Sequence, residues 1–229
     1  MSHSLRDRDL RQRDLVPPDK LSQYHALVIG VGAIGRQVSL QLAAMGIPAM
    51  TLIDPDTVEI VNLAVQGYLP EDLGQSKVSA TSQLCRRINP QLLIQSHAER
   101  FGRSSVKTLP CFSDFQRKLV VFVCVDDINT RGNIWEWIKY HVAFFADARM
   151  GGEVIRVLAS TEPLEELFYP YRFFQLDQAF TGSCSAKSTI FTASIAAGLT
   201  LSQFSRWLRE LPVDHDLVLN LLASEITVS

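Results

Sequence analysis

Gly30, Gly32 and Gly35 form a G-x-G-x-x-G run between a short apolar strand and a helix, and Asp54 stands 19 residues after the last glycine. Residues this small let backbone N–H groups approach a phosphate at the positive end of a helix. An acid at the end of the next strand is placed to hydrogen-bond ribose hydroxyls. The pattern therefore predicts a nucleotide site and leaves the nucleotide open, since NAD and ATP both present ribose and phosphate. The alternative is a strand–turn–helix corner that binds nothing. The residues beyond Asp54 are unusual for a dinucleotide site. The stretch DPDTVEIVNLAVQGYLPEDLGQSK, from Asp54 to Lys77, carries a second acid, Asn62, Gln66 and a lone Lys77, with Val65 where a charge is expected.

Taken in order, these residues resemble the ThiF/MoeB/HesA family of adenylyltransferases, relatives of the ubiquitin-activating enzymes. The resemblance runs over about residues 8 to 228. It rests on Arg11-Gln12, GVGAIG, LIDPDTVEIVNL, Gln66, the GQSK ending at Lys77, INP at 88–90, CVDDINTR at 124–131 and DARMGGEV at 147–154. It implies ATP and Mg²⁺ as cofactors, and a small ubiquitin-like or sulfur-carrier protein with a C-terminal Gly-Gly as partner, activated through its terminal carboxylate. Such a carboxylate has a pKa of roughly 3.3–3.7 and is ionised at neutral pH, so no general base is needed. The resemblance assigns Gly30, Gly32, Gly35 and Asp54 to the nucleotide, Asn62 and Lys77 to the phosphates, Arg11 (or Arg13, one register along) to the phosphates, and Asp126 to Mg²⁺. A solvated helix position is the alternative for Lys77. A cap for the next helix is the alternative for Asp126 or Asp127. Arg149 matches a family Arg-Met, with a structural role as its alternative.

The match departs at Val65, which stands where the family has an arginine in N-L-x-R-Q. Losing one transition-state donor costs on the order of 10²–10³ in rate. Arg36 and Arg11 are the candidates to replace it. A non-catalytic nucleotide-binding relative, or partner subunit of an active enzyme, is the alternative reading. An NAD(P)-dependent oxidoreductase is a minor one that leaves Asn62, Lys77 and Asp126 unused. Cys184, in TGSCSAK just before a long helix, stands where some family members carry a cysteine that takes the carrier as a thioester. A helix N-terminus and Lys187 would both lower a thiol pKa there; a small turn residue is the alternative.

The elements that must position these residues read as alternating strands and helices. Strands are expected at 26–29, 50–53, 93–97, 119–125, 142–146, 154–159 and 217–226, and helices at 36–45, 75–88, 130–141 and 188–211. That alternation predicts an α/β, Rossmann-like, doubly wound and mostly parallel sheet, ending in antiparallel strands. Residues 161–183 read as a loop with an aromatic cluster from Phe168 to Phe174. Residues 1–229 are expected to form a single adenylation domain with an N-terminal helical arm at 1–24, working as a homodimer. Cys85, Cys111, Cys124 and Cys184 form no close pair, so free thiols and no zinc are expected; Cys124, in a Val-rich strand, reads as core. The net charge of -2 gives no ground for nucleic-acid binding. The longest apolar run, Leu119 to Val125, falls far short of the ~20 residues of a membrane span. With no signal-like N-terminus, a cytoplasmic protein is expected.

Overall fold

The computed structural model describes residues 8–114, 116–161 and 188–229. After a one-turn helix α1 (Pro18–Leu21), the chain runs β1 (Tyr24–Ile29), α2 (Ala33–Met45), β2 (Ala49–Ile53), α3 (Ile60–Gln66), α4 (Lys77–Ile88), β3 (Leu93–His97) and α5 (Ser105–Thr108). It continues with β4 (Lys118–Val123), α6 (Ile128–Ile138), β5 (Val142–Gly151), β6 (Val154–Ser160), α7 (Ile190–Leu208), β7 (Asp216–Asn220) and β8 (Glu225–Val228).

Among the described residues the strands make one sheet, in the order β3-β2-β1-β4-β5-β6-β7-β8. Pairing is parallel from β3 through β5 and antiparallel from β5 to β8, as the sequence predicts. The apolar runs of β1 and β4 supply both faces at once, which a sheet covered on two sides requires. Ala26, Val28, Val120 and Phe122 face α2, α4 and α7, while Leu27, Ile29, Val121 and Val123 face α6 and the 101–111 segment. Cys124 is buried, as expected of a core residue, and burial pushes its thiol up to about 12. Among the described residues no helix is long and apolar enough to cross a membrane.

The structure differs from the sequence reading at three points. The described part of the N-terminal arm is a series of turns plus α1 rather than a continuous helix. The stretch after Asp54 contains α3, a helix the sequence does not announce. The expected final strand at 217–226 is a hairpin, β7 and β8. The buried face of α7 reads Ala193, Ala196, Ala197, Leu201, Phe204 and Leu208. Cys184, Lys187 and the aromatic cluster at 168–174 lie outside the described residues.

Candidate nucleotide site

Strand order puts β1 and β4 side by side, while β2 and β3 extend the other way. That is the switch point of a doubly wound sheet, and ligands of such sheets bind at its carboxyl edge. The segments leaving β1, β2 and β4 at this edge carry the glycine loop, Asp54 and Asp126.

Two of the three glycines are dictated by close packing. Gly30 has φ +88, and a Cβ on it would stand 2.8 Å from the Cys124 carbonyl oxygen; a Cβ on Gly35 would fall 1.8 Å from the Gly30 carbonyl oxygen. Gly32 differs. The nearest atom to a Cβ there is Gln66 Nε2 at 3.9 Å, so its side faces room rather than protein. Gly32 is also the N-cap of α2, which has no side-chain cap and no acid in its first turn. Orphan N–H groups beside free space suit a phosphate.

Asp54 is buried. Its Oδ2 accepts the Val31 N–H at 2.7 Å and its Oδ1 accepts the Asp56 N–H at 2.9 Å. Burial raises its pKa despite those two bonds and the nearby Lys77. Asp54 thus fixes the glycine loop itself, and its remaining lone pairs suit ribose hydroxyls.

Lys77 is the first residue of α4 and is 6% exposed. Asp56 holds it twice. The Lys77 N–H donates to the Asp56 carbonyl and Nζ donates to Asp56 Oδ2, both at 2.9 Å. It is not the solvated helix residue of the alternative. Asp56 is the participant that sequence reasoning left without a role; the signal was a second acid two residues after Asp54. Asn62 is buried on α3, and its Oδ1 accepts the Glu59 N–H at 2.8 Å in a capping box.

The capping alternative at the end of β4 falls to Asp127. Its Oδ1 accepts from the Thr130 N–H and hydroxyl, both at 2.7 Å, and those bonds lower its pKa. Asp126 is exposed and makes no hydrogen bond among the described residues. No cluster of three metal-binding side chains occurs among the described residues. A lone carboxylate fits Mg²⁺, which takes one or two carboxylates together with substrate phosphates and keeps much of its water. The turn bearing Asp126 is anchored by Arg131, which pairs with fully buried Asp147 and donates to the Ala148 carbonyl at 3.1 Å. Arg149 grips the other oxygen of Asp147 at 2.6 and 2.9 Å.

Two expected phosphate ligands are placed elsewhere. Arg36 is 0% exposed, and its Nε and Nη2 donate to the Gly67 carbonyl at 3.2 and 3.0 Å. It faces the protein interior and is no substitute for an arginine at position 65. Arg11 is exposed on the N-terminal arm. Arg8 donates to the Ala43 and Ala44 carbonyls and Gln12 to that of Met45, so the arm docks on the carboxyl end of α2. Helix α2 has 13 residues, and its length of about 20 Å separates Arg11 from the glycine loop of its own subunit. Arg13 is exposed on the same arm.

A family model described as "ThiF family" matches residues 7–205. The chain is 39% identical over 93 residues to "Adenylyltransferase and sulfurtransferase MOCS3-2" of Zea mays, a match covering 37% of this chain and 19% of that protein. It is 28% identical over 125 residues to "Ubiquitin-like modifier-activating enzyme 5" of Rattus norvegicus, covering 49% of this chain and 30% of that protein. The chain thus aligns with less than a third of the length of these curated relatives. Among solved structures, PaaA superposes with a TM-score of 0.74 at 19% identity, covering all of this chain and 84% of that one. E. coli MccB with ATP superposes with a TM-score of 0.71 at 18% identity, covering 94% of this chain and 66% of that one. At such identities the structures establish the fold alone.

Proposed function

The chain belongs to the ThiF family, and from that premise we propose that it binds MgATP and adenylates the C-terminal carboxylate of a small ubiquitin-like or sulfur-carrier protein ending in Gly-Gly. The observation that carries this reading is the meeting of the glycine loop, Asp54, Lys77 and Asp126 at the carboxyl edge of β1, β2 and β4. A carboxylate oxygen of the carrier attacks the α-phosphorus, an acyl–phosphate bond forms, the α–β bridging P–O bond breaks, and pyrophosphate leaves. Asp126 would hold Mg²⁺, which supplies charge neutralisation for the phosphoryl group and the leaving group. Lys77 exchanges Asp56 for phosphate oxygens, and Asp54 holds the ribose. Arg11 reaches the phosphates of a second copy in a homodimer. Ile60 and Val61 of α3, 75% and 66% exposed beside the site, and Phe191 of α7, 49% exposed, support a partner there. Transfer to Cys184 is the second step.

Val65 on α3 favours a second reading, a nucleotide-binding relative without turnover or a subunit completed by another chain. Melting curves with ATP plus Mg²⁺, ATP plus EDTA, and NADH test the site. A ligand at 100 times its dissociation constant adds about 2.7 kcal/mol. Stabilisation by MgATP that weakens with EDTA supports the reading, and stabilisation by NADH alone refutes it. Pyrophosphate exchange with a protein ending in Gly-Gly then separates an active enzyme from the relative without turnover.

A further inference from the structure

Val31, in the middle of the glycine loop, is gripped on both sides of its residue. Its N–H donates to Asp54, and its carbonyl accepts a 2.6 Å hydrogen bond from Tyr68 Oη. That hydroxyl ends a buried chain beginning at Arg36, and the direction of each bond is forced. A guanidinium can only donate and a peptide carbonyl can only accept. Arg36 Nη1 therefore donates to Thr81 Oγ1 at 3.2 Å, the Thr81 hydroxyl donates to Tyr68 Oη at 3.2 Å, and Tyr68 donates to Val31. The same guanidinium lies 4.0 Å from the centroid of the Tyr68 ring, a cation–π contact, and caps α3 through the Gly67 carbonyl. Tyr68 Oη also lies 3.4 Å from the Lys77 carbonyl. One buried cation thus links the glycine loop, the carboxyl end of α3 and the start of α4. A charge at the head of such a chain polarises each hydroxyl along it.

We propose that Arg36 and Tyr68 are positioning residues for the phosphate-binding loop, setting the Val31 carbonyl so that the loop N–H groups converge on a phosphate. This role rests on the protein being an ATP binder. On this proposal an arginine serves the phosphates from behind the loop, in a chain whose position 65 on α3 is a valine.

Tyr68→Phe tests it, because the ring stays beneath the guanidinium while the hydroxyl and its bonds to Val31, Thr81 and Lys77 are lost. Dissociation constants for MgATP are measured by calorimetry and for adenosine by ligand-detected NMR, on the wild type, Tyr68→Phe and Arg36→Lys. Tyr68→Phe is expected to weaken ATP on the order of tenfold and leave adenosine unchanged. Arg36→Lys, which keeps the charge but loses the two-edged grip, weakens ATP at least as much. Unchanged ATP affinity in Tyr68→Phe, or equal losses for ATP and adenosine, overturns the positioning role alone. A wild type that binds no ATP overturns the ATP reading and this proposal together. If Tyr68→Phe does not fold, Thr81→Val breaks the same chain one link earlier and carries the same expectation.

Discussion

Two adjacent carboxylates at the end of β4 divide their work by geometry, and substitution separates the two roles. Asp127 satisfies the first N–H groups of α6, so Asp127→Ala is expected to cost about 1 kcal/mol of stability and to leave intact the difference between ATP with Mg²⁺ and ATP with EDTA. Asp126→Ala is expected to do the reverse, with an unchanged denaturation midpoint and no Mg²⁺ dependence of the thermal shift. His25 supplies a second prediction. Its Nε2 lies 2.9 Å from Thr51 Oγ1, and burial lowers its pKa from 6.5 to about 4, with Asp114 opposing and Arg117 reinforcing the shift. The folded state therefore favours the neutral ring. The associated stability is present in full above pH 6.5 and is lost as pH falls toward about 4, on the order of 3 kcal/mol in all. Asp54, with a raised pKa, works the opposite way at the acid end. Urea midpoints at pH 7 and pH 4.5 in wild type and His25→Gln isolate the histidine, and equal pH slopes in the two proteins would refute its role.

At the scale of elements, the turn from β1 into α2 divides its glycines by function. Gly35→Ala drives a methyl into the Gly30 carbonyl and is expected to destabilise the fold by more than ~3 kcal/mol, the range of severe steric and backbone disruption. Gly32→Ala meets no protein atom closer than 3.9 Å, so it is expected to fold with a melting point close to wild type and to lose most of the ATP-induced shift. A Gly32→Ala protein that binds ATP normally would place the phosphate elsewhere. The same contrast separates what was legible in the sequence from what was not. The motif announced the loop, and apolar runs bounded by turn residues announced the strands. Helix starts expected at 75, 130 and 188 fall within two residues of those observed, where Ser76, Asp127 and Thr189 cap their helices. Helix α3 was not, because it has seven residues and exposes Ile60 and Val61, which leaves no helical period to see. The β7–β8 turn was missed because its left-handed position is filled by Ser224, at φ 55, with no glycine to mark it. The role of Arg36 was illegible for another reason. Its partners Gly67, Tyr68 and Thr81 lie far along the chain, and only the packing of α2 against α4 brings them together.

For the molecule as a whole, the arm that bears Arg11 docks at the carboxyl end of α2, so under the proposed function the Arg11 that serves a site must come from a second copy. Mixing Arg11→Ala with Lys77→Ala is expected to restore part of the pyrophosphate exchange that neither variant shows alone. A mixture as inactive as its components would mean that no arginine crosses between copies. The position of the crevice has a further consequence, which concerns synthesis. Strand β1 can pair with β2 soon after both emerge, since Ile29 meets Ile53. The other wall of the crevice depends on Ile29 meeting Val123, and this contact must wait until more than half of the chain exists. Long-range parallel pairing of this kind is slow because loop closure precedes its reward. A nascent chain thus displays its glycine loop well before it owns Asp126, the carboxylate that would hold the metal under the proposed function. Under the proposed function, nucleotide would therefore act as a folding ligand only late, after β4 has been seated.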